Sequence, residues 1–433
     1  MVLALLIFGA TYLFIMLEKI PRHLVSLIGA LAVIISGLLS MEEAMKFVSW
    51  ETIGLLLGMF ILVRILEDAN FFDFLAVKTM EKVNFDVKKI FFVFPLLTGF
   101  LAAFMDSITV LLFFTILTIN VCKMFHINPI GLIIAEVCTA NTGGSATLVG
   151  DPPNVIIGNL LGYGFNDFVR NTGPIAVIAT IAITVFCFLF SLKSLRKAAK
   201  LTAQEKKELL LNNAISDQRL VKIGLIGFAS AILLLILHTE LNRLLGIHIG
   251  AAIATLLPAL ISLVFLGAGK AEHVIKNIDG ETLLFFIGLF IVIGGLEKAG
   301  ALKLLSNYIV DLSGGNGILL AILFIWISGL ASAIVDNVPM ALTMAYVLLD
   351  IIAADPALAP FRANLAWALA MGLDIGGNAT PIGASANVMA YSIMQKNKIK
   401  ISWSRWFKEA MPATIIALII VTVGICVKIK FGI

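Results

Sequence analysis

Four short stretches of this chain concentrate side chains that could bind ions or move protons. Asp106-Ser107-Ile108-Thr109 and Asp336-Asn337-Val338-Pro339 each interrupt an otherwise apolar run. A carboxylate followed by hydroxyl or amide groups suits a cation, a proton or a neutral hydroxylated solute. Two longer blocks follow them, Asn141-Thr142-Gly143-Gly144-Ser145-Ala-Thr147-Leu-Val-Gly-Asp151-Pro-Pro-Asn154 and Asp374-Ile-Gly376-Gly377-Asn378-Ala-Thr380-Pro-Ile-Gly-Ala-Ser385-Ala-Asn387. Paired glycines permit backbone angles that a helix forbids, and prolines remove hydrogen-bond donors, so a helix unwinds at each block. Unwound carbonyls and amides, with the Asn, Thr and Ser side chains, can replace the hydration shell of an ion. Close packing by small residues is the competing explanation for the glycines. It leaves Asp151, Asn154 and Asn387 unexplained. Asp106, Asp336, Asp151 and Asp374 are the proton-coupling candidates, since burial and mutual repulsion of several carboxylates favour proton uptake by at least one.

A membrane must position these groups. Hydrophobic residues make up 60% of the 433 and charged residues 13%, with a mean hydropathy of +1.04, too few polar side chains to coat a soluble globule. Apolar runs such as 25–39, 175–192, 220–237 and 413–427 approach the ~20 residues that span a bilayer. The run 2–17 lacks a basic leader and a cleavage pattern and is expected to be retained. Cys122, Cys138, Cys187 and Cys426 are scattered through apolar segments, without metal-ligand spacing. The basic residues form no nucleic-acid patch. No nucleophile–base pair, metal triad or phosphate-binding loop appears, so the chain does not read as an enzyme, and no cofactor or metal is expected.

The chain also repeats itself. Glu51–Glu67 returns 230 positions later as Glu281–Glu297 with seven of seventeen residues identical, and the same offset pairs Asp106 with Asp336. After a three-residue shift, Gly143–Val155 lies over Gly376–Val388 with seven of thirteen identical. In this register Asp151 faces Ala384 and Asp374 faces Asn141. The first copy has an odd number of crossings, so the second enters from the opposite face. The fold expected is an all-α polytopic membrane protein of ~10 spanning helices, built as two inverted repeats with re-entrant hairpins and broken helices. Kinked helix pairs are the alternative to hairpins. The first repeat covers 1–192, a basic linker 193–218, and the second repeat 219–433. Eight Lys or Arg between Lys193 and Lys222 put the linker in the cytoplasm of a plasma or inner membrane protein, with both termini outside. Arg64 is read as snorkelling, with a pair to Asp68 as the alternative, Glu67 and Glu297 as helix-end residues, and the five histidines as peripheral.

With the tips and blocks in this register, the chain resembles the ion transporter superfamily, most closely its arsenite permease, sodium–proton antiporter and P-protein branch. The resemblance implies a scaffold, a mobile transport domain, elevator-type alternating access and a homodimer. It implies binding roles for the hairpin-tip residues Asp106, Ser107, Thr109, Asp336 and Asn337, and for the Asn, Thr, Ser and Gly positions of both blocks. The dicarboxylate branch usually carries Ser-Asn-Thr at its tips, and the acids here lower the weight of a dicarboxylate. The function expected is secondary transport, proton-coupled efflux of arsenite, antimonite or a related small inorganic ion, with H+ or Na+ as coupling ion and a separate ATPase subunit if ATP drives it. A sodium–proton antiporter, a dicarboxylate or sulfate symporter and an ion channel are the alternatives.

Overall fold

Helices dictated by these apolar runs make up the computed structural model, which describes residues 1–433 apart from Glu18, Lys197, Lys200, 246–248 and Ile433. His248 and the linker lysines Lys197 and Lys200 therefore lie outside the described residues. The first half contains α1 (Val2–Leu17), α2 (Arg22–Ile35), α3 (Met41–Phe47), α4 (Trp50–Asp68), α5 (Phe71–Lys82), α6 (Val87–Ala102), α7 (Ser107–Met124), α8 (Ile130–Gly144), α9 (Pro152–Leu161), α10 (Phe165–Asn171) and α11 (Gly173–Leu195). The linker holds α12 (Ala203–Asn212). Then come α13 (Gln218–Leu245), α14 (Ala251–Leu266), α15 (Ala268–Lys276), α16 (Gly280–Lys298), α17 (Ala301–Ser313), α18 (Gly317–Ser332), α19 (Asn337–Ala354), α20 (Arg362–Gly376), α21 (Ser385–Lys396) and α22 (Trp403–Phe431). No strand occurs among the described residues.

Among the described residues, six helices (α7, α11, α13, α16, α19 and α22) are long and apolar enough to cross a membrane, and the α3–α4 pair, bent by 56°, is a seventh candidate. Five shorter apolar helices, α1, α2, α8, α14 and α18, accompany them. The burial pattern fits lipid as the outer solvent. Leu6, Ile35, Ile226 and Val264 point outward with 64%, 83%, 68% and 79% exposure, while the polar groups Asn141, Asn154, Asp374 and Asn387 are buried at the centre. This is an integral membrane protein.

Helix bounds follow local chemistry. Asp106 and Asp336 are the N-caps of α7 and α19, each accepting backbone N–H groups that a helix start leaves unpaired. Pro152 opens α9 at the first helical position, where its missing N–H does no harm. The bounds of α4, α6 and α7 recur 230 positions on as those of α16, α18 and α19. Several expectations need adjustment. α2 stops at Ile35, before the end of its apolar run, because the chain turns at Gly37 with φ +75°. The stretch 131–160 is two helices separated by residues 145–151, with the break inside the block where the sequence predicts unwinding. The helices α5 and α17, which flank the hairpins, are too short and polar to register as spans.

Packing groups these helices in two ways. On the outside, α2 packs along α16 and α4 along α14, and α13 lies against α14. In the centre, α6 packs on α8 and α18 on α20, while α21 crosses to α7 and α9 crosses to α19. The two halves are thus interleaved. The central contacts approach at backbone distance: a Cβ on Gly143 would lie 2.1 Å from the Gly99 carbonyl oxygen, and one on Gly376 would lie 2.3 Å from Gly329.

Candidate functional site

The site begins with how each unwound segment is held. Thr147 Oγ1 donates to the carbonyl of Ala103, and Thr380 Oγ1 donates to that of Ala333 at 2.5 Å, so each break is tied to the turn, α6–α7 or α18–α19, in its own half. Asn154 Nδ2 donates to the carbonyls of Gly144 and Thr147 at 3.0 and 3.1 Å. Asn387 Nδ2 does the same to Gly377 and Thr380 at 2.8 and 2.7 Å. Buried carbonyls freed by unwinding must find donors in a membrane interior, and these amides supply them. Asn141 Nδ2 joins the two halves, donating to Oδ1 of both Asn378 and Asn387 at 2.8 Å. Ser145 Oγ donates to the Thr142 carbonyl, and Asn378 Nδ2 reaches the Cys138 carbonyl and Thr142 Oγ1. Gly143, Gly144, Gly376 and Gly377 allow the close crossings that bring these groups together.

Both tips and both breaks then meet at one cavity of about 600 Å3. Asp106, Ser107, Asp151, Asn337 and Ser385 line it, together with Arg22, His23 and Phe60. Asp151 is 4% exposed and held from both halves: Ser107 Oγ donates to Oδ1 at 3.0 Å, and Asn337 Nδ2 approaches Oδ2 at 3.4 Å. Asp106 accepts from the backbone N and Oγ1 of Thr109, so that threonine completes a helix cap. Lys19, Asp279, Glu281 and Lys396 are the exposed charged residues that line its outer part.

Of the twenty residues singled out by sequence, five face the cavity. Six of the others, Ser145, Thr147, Asn154, Asn378, Thr380 and Asn387, donate to backbone carbonyls instead. Asp336 is tied at the wall: Arg22 Nη1 donates to its Oδ2 at 2.7 Å and to Ser385 Oγ at 2.7 Å, and Ser385 Oγ in turn donates to the same carboxylate oxygen. Asp374 is fully buried and does not line the cavity, so the four acids do not share one chamber. Arg22 is the residue that sequence reasoning missed. Its position had a usable signal, since the offset of 230 that pairs the tips puts Ala252 opposite it. Arg64 does not snorkel. It binds Glu67 at 3.2 Å and Asp68 at 2.6 Å, because those acids lie one turn on and offer charge partners nearer than bulk water.

Residues 12–372 match the family described as "Citrate transporter". A 46 kDa membrane protein of Mycobacterium leprae is 31% identical over 427 residues, covering 96% of each chain. An uncharacterized transporter of Mycobacterium tuberculosis is 32% identical over 424 residues, again covering 96% of each. The human P protein is 28% identical, aligning with 98% of this chain and 59% of its own length. Among solved structures, the Alcanivorax borkumensis YdaH transporter superposes with a TM-score of 0.60 at 14% identity, over 93% of this chain and 89% of that one. The likeness to it is one of fold.

Proposed function

Because the chain belongs to the citrate transporter family, a family of the ion transporter superfamily that also takes in P-protein relatives, we propose that it is a proton-coupled secondary transporter that exports a small hydroxylated inorganic solute such as arsenite or antimonite. The observation that carries this reading is Asp151, a carboxylate at the inner end of a single cavity, held by one donor from each hairpin. Two acids line the inner wall, Asp106 and Asp151, and the guanidinium of Arg22 there is already paired with a third, Asp336. That balance suits a neutral or cationic solute better than an anion, because an unpaired anion would meet like charge in a poorly solvated place. Hydroxyl and amide groups at Ser107, Asn337 and Ser385 would hydrogen-bond the solute hydroxyls.

In this proposal the halves are inverted repeats, and the interleaved hairpins and broken helices move as one body past the outer helices α2, α4, α14 and α16, in a homodimer. The backbone contacts at Gly99–Gly143 and Gly329–Gly376 support movement as one body, since neither hairpin arm can slide on its broken helix without a clash. A second reading has a specific observation in its favour. Arg22 at the cavity, with Lys19 and Lys396 at its mouth, could receive a carboxylate such as citrate, the solute in the family's description.

The test is a liposome assay with an internal pH dye, adding arsenite, citrate and sodium in turn to wild type and Asp151→Asn. Proton flux driven by arsenite and lost in the variant is the expected result. Flux driven by citrate alone would establish the anion reading, and flux driven by sodium would replace both with cation–proton exchange.

A further inference from the structure

The two crossings between the helix breaks share their amide-to-carbonyl wiring and differ in the residues that meet it, with Asn141 and Asn378 at one in the places of Asp374 and Ser145 at the other. At one crossing, Asn387 spends both Nδ2 hydrogens on the carbonyls of Gly377 and Thr380, and its Oδ1 accepts from Asn141 Nδ2 at 2.8 Å. At the other, Asn154 spends its Nδ2 hydrogens on Gly144 and Thr147, and the residue in the place of Asn141 is Asp374. Asn154 on α9 and Asp374 on α20 are side chains within interaction range of each other, with no hydrogen bond formed between them. Asn154 Oδ1 and both carboxyl oxygens of Asp374 are buried with no partner. Both residues are fully buried. Acceptors brought together without a donor repel, and burial removes the water that would relieve them.

We infer that Asp374 carries a proton in this conformation, donating it to Asn154 Oδ1 as Asn141 donates to Asn387, and that it is the group whose proton is exchanged during transport. The inference rests on the transport reading above and assigns its coupling residue. An amide keeps its hydrogen permanently, whereas a carboxylic acid can release one. The step is a proton transfer alone: the Asp374 O–H bond breaks, the proton passes toward the cavity water, and a carboxylate remains.

The groups around Asp374 define what release does. Asp151 is the ionisable side chain that interacts with it. Other charges on the helices packed against α20 are engaged elsewhere or lie far along their helices. Glu136 of α8 is bonded to Thr118, Glu409 of α22 to Arg405, and Asp336 to Arg22; Asp350 is near the far end of α19, Lys408 is exposed, and Lys428 and Lys430 are in the last turn of α22. Ionised Asp374 therefore repels Asn154 Oδ1 and Asp151 together. Asn154 holds the first break closed, and Asp151 faces the solute, so loss of the proton loosens the segment that presents Asp151 to the cavity. One proton is thereby exchanged against occupancy of that site.

Asp374→Asn installs at this crossing the amide that the other crossing already has, so it isolates the proton from the packing. Two measurements decide. Infrared spectra of wild type should contain a protonated-carboxyl band that disappears in Asp374→Asn, and the variant's proton-to-solute ratio in liposomes should fall at least tenfold. An unchanged ratio overturns the coupling role. Absence of the band, or thermal stabilisation of wild type by sodium that the variant lacks, overturns the protonation and puts a metal cation in its place. If wild type moves none of the solutes, the transport reading fails, and the infrared band still decides whether Asp374 is protonated.

Discussion

Removing the Arg22 side chain isolates one buried charge and gives a penalty that can be worked out in advance. Asp336 is 4% exposed at its side chain and Arg22 24%, and they meet at 2.7 Å. Breaking a buried pair by deleting one partner typically costs about 3–5 kcal/mol. Two contacts soften this here, because Ser385 Oγ and the Val338 backbone N–H still donate to Asp336 in Arg22→Ala. Arg22→Ala is therefore expected to lose about 2–4 kcal/mol. Asp336→Asn removes the charge, so Arg22→Ala in that background should cost less. Thermal unfolding of the four proteins of this cycle in detergent gives the coupling, which removes Arg22's other contacts from the comparison. Equal effects of Arg22→Ala in the two backgrounds would refute the reasoning.

Two further predictions concern polar groups away from the cavity. Glu136 is fully buried, accepts from Thr118 Oγ1 at 2.6 Å and leaves Oε2 without a partner, while the corresponding places in the second half hold the buried leucines Leu369 and Leu348. Thr118→Val alone should destabilise by about 1–3 kcal/mol, and Glu136→Leu with Thr118→Leu should restore stability, as read by thermal unfolding. Glu205 caps α12 through the Thr202 backbone N–H and hydroxyl, which hold its carboxyl below the usual range. A lowered folded-state pKa means that the cap's contribution is present above the unfolded value of about 4.3 and is lost as pH falls through the folded one. Protease sensitivity of the linker should accordingly rise in that acid range for wild type, and Glu205→Gln should be sensitive at neutral pH as well.

Much of the centre was legible because its chemistry is punctuated. Asp106 and Asp336 stop apolar runs and cap the helices that follow, and Pro152 opens a helix where proline is tolerated. The glycines of the two blocks marked where helices end. What the blocks do was harder to read. Asn154, Asn387, Thr147 and Thr380 have the same donors whether they bind a solute or a carbonyl, and the fold spends them on carbonyls. Arg22 follows Pro21 among ordinary interfacial residues, and only the three-dimensional meeting of α2 with the second tip gives it a partner. The place of Asp374 behind the breaks depends on how α8 and α20 cross, which no local pattern encodes.

The absence of any side chain where Gly99 meets Gly143 and Gly329 meets Gly376 has a consequence for how this chain can vary over time. On the Gly143 and Gly376 side of these crossings a single methyl group has nowhere to go, and a compensating change in the opposing residue cannot help, since that partner is already glycine and the obstruction is its backbone. Substitutions can therefore accumulate at exposed positions such as Lys19 or Lys396 while Gly143 and Gly376 stay frozen. Variation at the rim and constancy of the centre are kept apart by those two positions.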